Sequence, residues 1–139
     1  MESKLKHLEF IQNVITRMAN NSFLLKGWSV TLVAALFAME AKDKNLGFAL
    51  LVFIPILSFW LLDAYFLSLE RQFRELFKKV AATPEDQVTF DMNPEPYNAE
   101  ENTWAACLVR PSLAGFHGSL LGLALLMIGV LTSVFSCKA

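Results

Sequence analysis

Residues 59–73 read FWLLDAYFLSLERQF. The stretch closes a long apolar run, yet Asp63 lies inside it and Glu70 follows seven residues later, ahead of a cluster of charges. A carboxylate in hydrocarbon is costly, so such a residue faces a partner, water or a pore. Upstream, the run begins at Leu46. Residues 46–69, LGFALLVFIPILSFWLLDAYFLSL, are long enough to cross a bilayer, with Asp63 the one charge among them. Pro55 has no N–H to give Leu51, which predicts a kink near the middle. Downstream, ERQFRELFKKVAA at 70–82 keeps helical spacing: Phe73, Leu76, Phe77 and Val80 form a stripe. Glu70–Arg74, Arg71–Glu75 and Glu75–Lys79 are i,i+4 pairs, each worth roughly 0.2–0.5 kcal/mol. One helix is therefore expected from 46 to about 82, half in lipid and half in water.

Two further segments have the length of a span. SFLLKGWSVTLVAALFAMEA, residues 22–41, carries Lys26 near its start and Glu40 at its end, where both side chains can snorkel. Trp28 suits the interface, and Ser29, Thr31, Ala34, Ala35 and Ala38 let another helix approach closely. The short KDKN turn, 42–45, makes the second span return antiparallel. PSLAGFHGSLLGLALLMIGVLTSVFS, residues 111–136, has no formal charge and is the strongest spanning segment. Gly115, Gly122 and Gly129 recur every seven residues, and Gly118-x-x-x-Gly122 is a small-xxx-small pattern; these four glycines are the helix-packing candidates. His117 stands alone in that span and reads as a packing or hydrogen-bonding residue.

The flanking segments are polar. In KLKHLEFIQNVITRMANN, residues 4–21, Leu8, Ile11, Ile15 and Met18 recur at three or four residues, with Phe10 and Val14 beside them. This is an amphipathic helix, N-capped by Ser3, that lies on a membrane surface or packs on other helices. Residues 83–110 contain Pro84, Pro94 and Pro96, and six acids precede Arg110. They read as an acidic cap with a loop and one short helix, NAEENTWAACL.

Composition agrees with a membrane protein. Hydrophobic residues make up 55% and charged residues 18% of 139, and mean hydropathy is +0.43; soluble domains hold about 25% charged residues. Net charge is −1, which gives no broad nucleic-acid signature. Cys107 and Cys137 lie at opposite ends of a span, so no bond between them is expected, and no metal spacing appears. The N-terminus shows no cleavable signal. Nine bases (Lys4, Lys6, Arg17, Lys26, Arg71, Arg74, Lys78, Lys79, Arg110) fall on one side of the three spans and three (Lys42, Lys44, Lys138) on the other. The bias places the N-terminus in the cytoplasm and the C-terminus outside a bacterial inner membrane.

Asp63 has three readings. It pairs with Lys26 or near Tyr65 and fixes helix register. Alternatively, several copies form an acidic ring at a pore mouth, which selects cations. In the third it is a proton-relay or catalytic acid, disfavoured because no second intramembrane acid, histidine or nucleophile accompanies it. Asp63 and Glu70 share a face at heptad spacing, and with Lys26 they are the pore or gating candidates. Arg71, Arg74, Lys78 and Lys79 form a solvated, lipid-contacting face, or, summed around a symmetry axis, a ring that binds a nucleotide or single-stranded oligonucleotide. Phe73, Phe77, Tyr97 and Trp104 would then offer stacking faces. No phosphate-binding glycine loop, HExxH, GxSxG or paired histidines appear, and nothing points to an enzyme, a cofactor or a metal. Three spans bury too little for a cavity in one copy, so a homo-oligomer is expected.

Two blocks, RMANNSFLLKGWSVTLVAALFA (17–38) and FWLLDAYFLSLERQFRELF (59–77), resemble a group of small bacterial multi-span membrane proteins, some of which sit beside nucleotidyltransferases in anti-phage systems. The chain looks like the membrane effector family of the Hailong defence system. That resemblance implies a tetrameric, channel-like effector held inactive by single-stranded DNA oligomers from a partner nucleotidyltransferase. Loss of the oligomers would depolarise the membrane and arrest growth. The expectation is thus an all-α integral membrane protein: an amphipathic helix (1–21), three transmembrane helices (22–41, 46–69 continuing to about 82, 111–136) and a small cytoplasmic cap (83–110). The other functional classes open to it are a non-conducting membrane anchor for a cytoplasmic partner and a holin-like lysis protein.

Overall fold

The structure, a computed structural model, describes residues 1–43 and 46–136. Among these, the regular elements are all helical: α1 (Glu2–Asp43), α2 (Leu46–Leu51), α3 (Phe53–Ala82), α4 (Trp104–Leu108) and α5 (Pro111–Ser136), with single 3-10 turns in the cap. Three stretches, Glu2–Lys42, Gly47–Ala82 and Pro111–Ser133, are long and apolar enough to cross a membrane. Lys44 and Asn45 of the KDKN turn, and Cys137 and Lys138, lie outside the described residues.

The amphipathic segment and the first span are one continuous helix. α1 has 42 residues, about 63 Å at 1.5 Å per residue, roughly twice the thickness of a hydrocarbon core. No proline interrupts it, and Ser22 at the expected boundary spends its hydroxyl on Asp63. α1 and α3 lie antiparallel, because partner numbers fall on one helix as they rise on the other. Lys4 donates to the Ala81 and Thr83 carbonyls at 3.0 and 2.8 Å. Ile11 and Ile15 pack with Leu76 and Val80. Ser22 bonds Asp63. The N-terminal half of α1 thus packs on α3, and the buried face His7, Ile11, Ile15, Met18 explains its three- and four-residue spacing.

Pro55 has the expected effect. The helix is interrupted at Val52, between α2 and α3, and the Ile56 N–H reaches the Val52 carbonyl at 3.4 Å. The break places Val52 and Ile56 in a cluster with Val33, Leu120 and Ala124. The cap differs from the single helix expected over 98–108. A 3-10 turn at Glu100–Asn102, with Glu100 at φ 49°, precedes α4. Thr103 caps α4 by accepting from the Ala106 N–H. The reason is tertiary: Ser68 of α3 takes the Asn102 carbonyl at 2.5 Å and Arg71 its side-chain oxygen at 2.9 Å, which holds this residue outside a helix. Pro111 then opens α5, where its missing N–H costs nothing.

Candidate functional site

Three helices meet at Asp63. α1 brings Ser22 and Lys26, one turn apart; α3 brings Trp60 and Asp63; α5 brings Phe116 and His117. Asp63 is fully buried. Its Oδ2 accepts from Lys26 Nζ at 2.6 Å and from His117 Nε2 at 2.9 Å, and its Oδ1 accepts from the Ser22 hydroxyl. Lys26 also donates to Ser22 Oγ at 2.8 Å. A carboxylate only accepts, so Nε2 carries the hydrogen of the His117 ring. His117 is fully buried, and its Nδ1 has no partner among the described residues. Trp60 lies parallel to the imidazole, 5.9 Å between centroids at 10°, and Phe116 meets it edge-on at 5.0 Å. Trp60 Nε1 donates to the Leu108 carbonyl of α4 at 3.0 Å, which ties this cluster to the cap.

The expectation that His117 stands alone is therefore corrected: the α3–α5 packing brings it onto Asp63. Glu40, expected to snorkel at the end of its span, is instead 2% exposed, with Oε1 unpartnered among the described residues. The pairing of Asp63 with Lys26 is present. Glu70 is not brought to it. Glu70 bonds Arg74 on its own helix at 2.7 Å, while Asp63 faces α1 and α5. Sequence reasoning missed Ser22 and Trp60 as well. Ser22 and Lys26 are four residues apart, the spacing of one helix face, and that was the available signal.

The four basic candidates are all engaged. Arg71 reaches Glu101 at 3.4 Å besides Asn102, Arg74 pairs with Glu70, and Lys78 pairs with Glu75 at 2.7 Å. Lys79 lies 6.0 Å from the Tyr97 ring centroid. Glu75 thus pairs with Lys78, in place of the expected Arg71 and Lys79, because the cap draws those two side chains away. Arg74 and Lys78 are 57% and 70% exposed, and such pairs contribute little. Beside them are a cleft of about 310 Å³ lined by Leu76, Lys79, Val88, Asp91 and Tyr97, and one of about 340 Å³ between Arg71, Glu75, Glu100 and Glu101. The acids there limit an anion to the outer, exposed bases.

Gly115, Gly118, Gly122 and Gly129 do not serve packing among the described residues: a Cβ at any of them meets nothing there within 4 Å. Cys107 is buried and free, with its thiol against the Glu101 carbonyl. Burial pushes this thiol above its ordinary range, against the pull of Arg71 and Arg110. No group of three metal-ligating side chains occurs among the described residues.

Fold and site together define an all-helical protein with three helices of membrane-crossing length, bound to one another through a buried ammonium–carboxylate–imidazole cluster. Comparison with protein-family models, with curated proteins and with solved structures finds no match to any of them.

Proposed function

We propose that this chain is an oligomeric, channel-like membrane effector of bacterial anti-phage defence, gated on its cap by a nucleotide or single-stranded oligonucleotide. In this reading the N-terminus and cap lie in the cytoplasm and the C-terminus outside the inner membrane, following the distribution of bases. A partner nucleotidyltransferase makes the ligand, the assembly is a tetramer, and opening depolarises the membrane and arrests growth; the resemblance of residues 17–38 and 59–77 supports these points. The observation that carries the reading is the path through Trp60. Its indole bonds the cap at Leu108 and stacks on His117, which holds Asp63. A polyanion exchanging for Glu70 and Glu75 on Arg74 and Lys78 would shift α3, and the indole would pass that shift to the buried charges. Asp63 then acts in gating, with Lys26 and Glu70.

The second reading is a non-conducting anchor. It is favoured by the satisfaction of both Asp63 oxygens within one protomer, which suits a residue that fixes helix register. Membrane potential in bacteria expressing the chain separates the two. Depolarisation without lysis, altered by Arg74→Gln/Lys78→Gln, supports the gated effector. A normal potential with the chain in the membrane fraction supports the anchor, and timed lysis a holin-like protein. The cap is larger than lysis needs.

A further inference from the structure

Among the described residues, three polar atoms in the span region are buried without a partner: His117 Nδ1, Ser29 Oγ and Glu40 Oε1. Ser29 is fully buried and Glu40 nearly so. Lys26, Ser29 and Glu40 share the packed face of α1. The eleven residues from Ser29 to Glu40 turn the helix back to within about 20° of the same direction and advance it by about 16 Å. Between them the seam is apolar. Val33 packs with Val52, Ile56, Leu120 and Ala124, and Leu36 and Phe37 cover the cluster. Helix packing does not require this arrangement. Each unpartnered hydroxyl or carboxyl in an apolar interior costs free energy, and an alanine or leucine would remove that cost. Intramembrane ionisable groups of this kind mark ion and proton pathways.

Resting on the reading of the chain as a conducting effector, we propose that the conducted ion is the proton and that its path lies inside each protomer. It runs from Glu40 along the α1 seam past Ser29 to His117 and Asp63, and is closed by the apolar plug of Val33, Val52, Ile56, Leu120 and Ala124. The Lys26 ammonium, 2.6 Å from Asp63, occupies the place of a metal cation and repels another. A hydroxyl, an imidazole and a carboxylate can still relay protons. A proton taken at His117 Nδ1 gives the imidazolium. Loss of the Nε2 proton to Asp63 Oδ2 leaves a neutral ring, and the Asp63 carboxyl releases that proton to water reaching it beside Ser22 and the part-exposed Lys26, which restores the carboxylate with no electrons moved. Reorientation of the ring resets it. The plug gates by excluding water, as hydrophobic constrictions do.

The test uses the full chain in vesicles of phosphatidylethanolamine and phosphatidylglycerol, with an internal pH dye and a potassium gradient. Ile56→Ser wets the plug without any ligand. It should raise proton entry about tenfold or more with potassium release unchanged, and Glu40→Gln in that background should return proton entry to baseline. Circular dichroism and gel filtration certify folding, and Val52→Thr, nearly isosteric, serves at the same plug if Ile56→Ser does not fold. Proton entry that ignores Glu40→Gln overturns the seam. Potassium release in step with proton entry also overturns it, while the conducting-effector reading stands. A folded plug variant that passes neither ion overturns both.

Discussion

Three side chains from two other helices converge on the Asp63 carboxylate, and their chemistry sets the effect of removing each. A buried ion pair gives little net stability, but breaking one side costs about 3–5 kcal/mol, because the remaining charge loses its partner. Lys26→Met should therefore destabilise the fold by that order, and Lys26→Met/Asp63→Leu should regain most of the loss; denaturant unfolding in detergent micelles measures both. Cys107 makes the second prediction. Its folded thiol titrates above the ordinary value, so the folded state retains a proton that the unfolded state loses. The stabilisation is present below the unfolded thiol range, where both states are protonated, and fades as pH rises through that range toward the folded value. Unfolding midpoints should fall between about pH 8.5 and the higher folded value more steeply than in Cys107→Ala, and maleimide labelling at pH 8 should be slow until the chain unfolds.

The long α1–α3 pair makes predictions of its own. Ile11 is fully buried against Leu76 and Val80, so Ile11→Ala should cost about 2–5 kcal/mol and open residues 1–21 to protease. A helix lying on a lipid surface would lose only membrane affinity. Pro55→Ala restores an N–H opposite the Leu51 carbonyl. The helix should then run unbroken from 46 to 82, and hydrogen exchange should show a protected amide at position 55. An unprotected amide would mean that side-chain packing around Val52 and Ile56, and not the missing donor, holds the break.

For the molecule as a whole, the unpartnered face of α5 is the sharpest handle on assembly. A Cβ at Gly122 meets nothing within 4 Å among the described residues, and a glycine in mid-helix is about 1 kcal/mol worse than alanine. Gly122→Leu should keep or raise protomer stability while lowering the oligomer fraction in detergent, seen by light scattering. An unchanged oligomer would place copy-to-copy contact on another face. The cap offers the complementary handle. Ser68 and Arg71 hold Asn102, Trp60 holds Leu108, and Trp104 donates to the Leu61 carbonyl at 3.0 Å, so the cap should unfold together with α3 and not before it.

Much of this was open to reading along the chain. Apolar runs of bilayer length, the three-and-four spacing of Ile11, Ile15 and Met18 and the break at Pro55 all follow from local chemistry. Hydrophobic periodicity and a missing N–H act within a few residues, so a single strand of sequence carries them. What lay beyond that reach concerned side chains far apart in number. His117 looked solitary because α5 stands fifty-four residues from Asp63, and sequence spacing does not say which faces of two helices meet. Arg71 and Lys79 left their expected partner Glu75 for Asn102, Glu101 and Tyr97, since contacts with a folded cap outweigh i,i+4 pairs worth a few tenths of a kcal/mol. The glycine heptad marked a close-packing face without naming its partner, and within the chain α5 meets α3 through Leu113 and His117 on another face. Periodicity marks which residues are alike along a helix; only packing assigns each face its neighbour, because burial and desolvation are settled jointly by all the helices that meet there.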